Sequence, residues 1–245
     1  MFRQGPALAG LFFLVFSVAC VAQGEAKRGE YFAKAGGCLG CHTEERENAV
    51  PYAGGRALKT PFGTFYGPNL TTHPQAGIGR WTEADFVRAM REGRRPDGAH
   101  YYPAFPYPSF TLITDSDLRD LWAYLRSLAP SDRKSEPHEL GFLYRWRFLL
   151  TFWKWLFFDR GPFVSDPAQN AQLNRGRYLI TALGHCGECH TPRNFLTTGL
   201  TADGDVPAKE MGEVITNTTS QLTPEDLNAM IAFLRSLPPL PEPGK

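Results

Sequence analysis

The chain reads as an all-α protein, with two tandem helical repeats of unequal length joined by an aromatic-rich connector helix. Three observations predict this. The run Lys27-Arg28-Gly29-Glu30-Tyr31 is echoed by Asn174-Arg175-Gly176-Arg177-Tyr178. A Cys-x-x-Cys-His-Thr run follows each of them, starting at Cys38 and at Cys186. Each half then closes on a similar stretch, ITDSDLRDLWAYLRSLAP from Ile113 and LTPEDLNAMIAFLRSLPP from Leu222.

Ahead of the first repeat, residues 1–22 read as a secretory signal. Arg3 supplies the positive start, residues 8–18 are mostly apolar, and Cys20-Val21-Ala22 offers small residues for cleavage before Gln23. The apolar run falls short of the ~20 residues of a spanning helix, which weighs against a permanent anchor. A lipoprotein start at Cys20 has a poorly matching approach in Ser17-Val18-Ala19. Lys and Arg (26) balance Asp and Glu (25), which argues against nucleic acid as a partner and leaves docking to local patches.

Both closing stretches carry helix-start signals. Thr114 and Thr223 are N-cap candidates, with Asp117 and Asp226 three residues on in the place of a capping-box Glu. Pro224 sits at the first helical position, where its missing N–H costs nothing. Leu118, Leu121, Trp122 and Leu125 recur at helical spacing, as do Leu227, Met230, Ile231 and Leu234, and each set is expected to face a core.

The repeats differ in the middle. Cys38 and Asp97 are 59 residues apart, whereas Cys186 and the matching Asp203 are 17 apart, so the second repeat lacks 42 residues. The missing part corresponds to residues 51–92, with the FYGPNL stretch (65–70) and a helix capped by Thr82 and Asp85. Between the repeats, residues 131–139 are polar and residues 142–158 are dense in aromatics. Arg147, Thr151 and Lys154 form a narrow polar stripe at i, i+4 and i+7 on that apolar segment. Three charges argue against a membrane span. The segment is expected either to be buried as a connector or to dock on a partner subunit or membrane interface.

Of five cysteines, Cys20 lies in the leader and the rest form two pairs, Cys38/Cys41 and Cys186/Cys189, each followed at once by a histidine, His42 or His190. Two thioether bonds to the vinyl groups of a haem need this spacing, and the adjacent histidine then falls under the iron. A zinc ribbon wants its pairs close together. A redox CxxC would follow a strand in an α/β pattern. Structural disulfides would not need the histidines. The residues therefore point to two covalent c-type haems.

The runs CLGCHT, FGTFYGPNLTTHPQAGIGRWTEADFVRAMREG, DGAHYYPAFPYPSFT, RWRFLLTFWKWLFF, NRGRYLITALGHCGECHTPRN and EMGEVITNTTSQLTPEDL resemble the tandem class I cytochromes c that serve as cytochrome subunits of periplasmic and membrane-bound dehydrogenases, including quinoprotein alcohol dehydrogenases. The resemblance covers nearly all of the chain beyond the leader. It implies an all-α fold, haem binding and electron transfer, and with the repeats read above it divides the chain into a signal peptide at 1–22, a first cytochrome c domain at 23–130, a linker with an amphipathic aromatic helix at 131–167 and a shortened second domain at 168–245. With the leader and the aromatic segment read above, the resemblance gives an exported electron carrier of the periplasm rather than an enzyme, and residues 142–158 remain the place for any peripheral membrane contact. A periplasmic dehydrogenase is the expected donor, and another cytochrome or a terminal oxidase the acceptor. A di-haem peroxidase with an open first haem is the alternative, and a second repeat that no longer holds cofactor is a third reading.

Class I cytochromes complete the iron with a methionine, and the resemblance points to Met211, in Met211-Gly212-Glu213-Val214-Ile215, as the second haem's sixth ligand. At the repeat offset Phe105 stands opposite Met211, and phenylalanine cannot bind iron. The first haem is therefore expected to take His100 or no sixth ligand. Met90 reads as core, His73 as solvated, and His138 and His185 have no clear site. In the family a proline carbonyl of a GPNL run accepts the haem histidine's other ring N–H. Pro68 offers it to His42, and the second repeat has no equivalent.

Overall fold

A computed structural model describes residues 24–190 and 208–238. The proposed signal and the stretch carrying Thr191 and Asp203 lie outside the described residues. The fold is mostly helical, as expected. The first repeat comprises α1 (Ala26–Ala35), α2 (Cys38–His42), strands β1 (Ala57–Thr60) and β2 (Gly63–Tyr66), α3 (Glu83–Glu92), α4 (Tyr107–Phe110) and α5 (Asp115–Ser127). The linker supplies β3 (Glu139–Leu140), a 3₁₀ turn (Phe142–Arg145) and α6 (Leu149–Phe157). The second repeat has α7 (Ala171–Tyr178), a π turn (Leu179–Leu183), α8 (Gly187–His190), α9 (Ala208–Asn217) and α10 (Pro224–Ser236).

The recurrent Arg-Gly explains itself as packing. A Cβ on Gly29 would stand 1.9 Å from the carbonyl oxygen of Asp120, and one on Gly176 would stand 2.0 Å from that of Ala229. Only glycine permits α1 to cross α5, and α7 to cross α10, at this distance. The caps form as read. Thr82 and Asp85 make a full capping box on α3, and Thr114 and Thr223 each accept from the backbone N–H three residues on. Asp117 and Asp226 do not complete boxes of their own. Their carboxylates reach instead to the opposite repeat: the Tyr178 hydroxyl donates to Asp117 at 2.7 Å and the Tyr31 hydroxyl to Asp226 at 2.5 Å. Arg175 also grips Asp226 with two bonds, at 2.7 and 2.6 Å. Burial works against that carboxylate, but the bonds from Arg175 and Tyr31 outweigh it and hold its pKa below the usual range.

Core placement differs between the closing helices. In α5, Leu118, Leu121 and Leu125 are buried, and Trp122 stacks on Phe86 of α3 at 5.4 Å between ring centroids. In α10, Ala229 and Phe233 are buried, whereas Ile231 and Leu234, expected in the core, are 45% and 52% exposed. Ile231 matches Trp122, and the helix that covers Trp122 belongs to the 42 residues the second repeat lacks.

A small antiparallel sheet, unforeseen from the sequence, orders β1-β2-β3 with Leu58 opposite Phe65 and Thr64 opposite Glu139. Through it the polar linker is fastened to the first repeat. Asn69 Nδ2 donates to the carbonyls of Ser131 and Arg133, and His138 Nδ1 accepts from the Tyr66 N–H. The connector helix is not buried between the repeats. Its polar stripe faces the first repeat: Arg147 donates to the His100 carbonyl, Thr151 bonds His100 Nε2 at 3.1 Å, and Lys154 Nζ donates to the carbonyls of Glu92 and Gly93 at the end of α3. The aromatic face points outward.

Candidate haem sites

Gly37 adopts the left-handed conformation (φ 63°) and launches α2, a single turn holding Cys38, Cys41 and His42. Spacing of three puts the two sulfurs on one side of the turn, with His42 next to Cys41. Burial pushes the Cys38 thiol up to about 12 and raises Cys41 as well. These are thiols kept neutral by burial, unlike the low-pKa thiolates of redox motifs or thiolate metal sites. Thioether formation needs no standing charge on them.

The β2–α3 loop lies on this turn. A Cβ on Gly67 would stand 1.8 Å from the Cys41 carbonyl oxygen, so only glycine lets the loop approach. The next residue presents its carbonyl to His42, with Nδ1 2.8 Å from the Pro68 oxygen. Burial lowers the pKa of His42, and the bond to Pro68 only partly opposes this. A neutral imidazole facing a carbonyl must carry its proton on Nδ1, which leaves the Nε2 lone pair for an iron. The Gly54 N–H donates to the His42 carbonyl, and Thr43 Oγ1 accepts from the Tyr52 N–H, fixing the turn from its far side. The donor set fits a c-type haem.

The second motif arrives differently. Seven residues separate Tyr31 from Cys38, but eight separate Tyr178 from Cys186. The π turn Leu179–Leu183 absorbs the extra residue, with Gly184 N–H bonded to the Leu179 carbonyl at 2.7 Å. His185 then takes the left-handed position held by Gly37 (φ 39°). Its ring meets the edge of Phe110 at 5.5 Å. Cys186 opens the turn, and His190 closes it with its N–H on the Cys186 carbonyl at 3.0 Å. The Cys189 and Met211 side chains lie outside the described residues, although Met211 falls on α9.

Contacts across the repeat interface reach the surroundings of both motifs. Ser109 on α4 donates to Glu188, between Cys186 and Cys189, at 2.9 Å. From the other side, Arg56 pairs with Glu213 on α9 at 2.8 Å, and Thr218 stands beside Gly37. Phe105 packs on Phe110 at 5.8 Å, and Phe110 meets His185. A chain of aromatic contacts thus runs from the position opposite Met211 to the residue before Cys186. His100 is turned to the connector through Nε2, and burial beside Lys154, Arg94 and Arg160 lowers its pKa to about 4. Met90 is buried in the core, as read. His73, read as solvated, accepts the N–H groups of Gln75 and Ala76 at a turn.

The cytochrome c family model matches residues 26–129. A protein of Cereibacter sphaeroides named "Diheme cytochrome c-type" is 39% identical, over 88% of this chain and 86% of that protein. The chain belongs to the cytochrome c family. The fructose dehydrogenase cytochrome subunit of Gluconobacter japonicus is 35% identical over 89% of this cytochrome's chain and 54% of its own. The cytochrome c subunit of the quinone alcohol dehydrogenase of Gluconobacter oxydans is 38% identical over 79% of this chain and 42% of its own. The cytochrome thus spans about half the length of these two dehydrogenase subunits.

Proposed function

We propose that this cytochrome is an exported di-haem electron carrier that takes electrons from a periplasmic dehydrogenase and passes them to a downstream cytochrome or terminal oxidase. In this reading residues 1–22 are the signal, 23–130 and 168–245 are two cytochrome c domains, and 131–167 link them. Cys38, Cys41, Cys186 and Cys189 hold the haems, and His42, His190 and Met211 bind iron. Haem supplies the one-electron chemistry, and the protein sets its orientation and potential. Pro68 holds the His42 proton on Nδ1, which raises the basicity of Nε2. Arg56 and Glu213 brace α9 against the first attachment turn.

The observation that carries the reading is the His42–Pro68 bond on the turn that holds Cys38 and Cys41. The relatives named as dehydrogenase cytochrome subunits support the donor class. Intact mass of the exported protein tests it: two haem additions and rapid reduction by a periplasmic dehydrogenase are expected, and absence of haem defeats it. Phe105 favours one other reading, a peroxidase-like enzyme with an open first haem. Rapid peroxide turnover with an external donor would select that reading.

A further inference from the structure

We infer that the connector docks this cytochrome on a bilayer surface, with residues 142–157 lying in the headgroup–acyl boundary. Of the 17 large apolar side chains exposed among the described residues, ten fall within this segment. Trp155 is 82% exposed, Phe142 69% and Phe152 61%. The display is enforced. Arg147, Thr151 and Lys154, the groups that would ordinarily face water, are bonded into the first repeat, and Lys154 also sits over the Tyr107 ring at 4.4 Å. The helix therefore cannot roll to hide its aromatics without pulling the buried Lys154 ammonium away from the Glu92 and Gly93 carbonyls that satisfy it.

Charge and composition choose the occupant. From 141 to 158 there is no acidic residue, and Arg145 is the one cation that faces outward. Glu139, Asp159 and Arg160 stand only at the ends. A protein interface needs a polar rim to fix its register. This face offers none along its length, but its tryptophans, phenylalanines and leucines beside an arginine are what a headgroup boundary accepts. The helix Leu149–Phe157 is about 14 Å long, too short to cross a bilayer. The inference deepens the carrier reading and rests on it only for export to a membrane-bounded compartment.

The experiment is sedimentation of the full-length holoprotein with vesicles of phosphatidylcholine and phosphatidylglycerol. The native protein is expected to pellet with lipid, and raised salt is expected to leave most of the binding, because apolar contacts carry it. The F152S/W155S variant should partition at least about tenfold more weakly, with unchanged haem mass and unchanged reduction by dehydrogenase in solution. The proposal is overturned if the native protein stays in the supernatant at lipid excess, or if the variant pellets equally well. It is also overturned if the variant loses dehydrogenase binding while keeping vesicle binding, because the face would then belong to a protein. Failure of the carrier reading shows separately, as missing haem mass.

Discussion

The Tyr178 hydroxyl is bonded to the Asp117 carboxylate at 2.7 Å, and this joins the opening helix of the second repeat to the closing helix of the first. Tyr31 and Asp226 make the reciprocal bond. Each repeat thus supplies a tyrosine donor to the other's buried carboxylate. Removing the hydroxyl in Tyr178→Phe leaves Asp117 short of a partner and should cost about 1.5–3 kcal/mol, the range for bonds to charged groups. Urea unfolding measures it, and an unchanged midpoint would show that Arg28 and Ser116, which donate to Asp117 Oδ1 at 3.3 and 3.4 Å, satisfy the carboxylate by themselves.

The two closing helices predict opposite sensitivities at matching positions. Leu125 is buried and Leu234 is half exposed, since the second repeat has no counterpart of α3. Leu125→Ala should destabilise by about 2–5 kcal/mol, and Leu234→Ala by under about 1 kcal/mol. Equal losses would mean that something outside the described residues covers α10.

Met211 and Phe105 occupy matching positions in the sequence, so in the di-haem reading proposed above the two haems should differ. One methionine–iron band is expected in the near infrared, lost in Met211→Ala. Two such bands in the native protein would contradict the assignment.

Acid should loosen the connector through His100. Burial and three neighbouring cations lower its pKa from 6.5 to about 4, so below pH 6.5 the unfolded chain binds the proton that the folded one refuses. Stability therefore falls as pH drops from 6.5 towards 4. His100→Gln should flatten that slope in thermal melts taken across this window.

Much of this architecture was legible because it rests on local rules. The caps at Thr82, Thr114 and Thr223 and the core spacing of α5 follow from short-range chemistry, whereas the Pro68 carbonyl, 26 positions from His42, was legible only through the family resemblance. What escaped were relations between distant segments. The pairing of β2 with residues after 138 depends on where the linker lies. Asp117 and Asp226 looked like cap residues because the tyrosines that claim them are 61 and 195 positions away. The exposure of Ile231 follows from an absent neighbour, which apolar spacing along one helix does not record. One missed feature did leave a signal: the unequal Tyr-to-Cys spacing marks the π turn.

That turn settles a conflict of phase. The helix before Cys186 must aim Tyr178 at Asp117 and, a few residues later, deliver the second motif to its place beside Ser109. Along a regular helix one added residue rotates everything after it by about 100°, so the tyrosine and the cysteine could not both point true. Spreading the extra residue over a wider turn gives each its own bearing. The second repeat can therefore change the heading of its CxxCH turn by gaining or losing a residue there, without loosening its hold on the first.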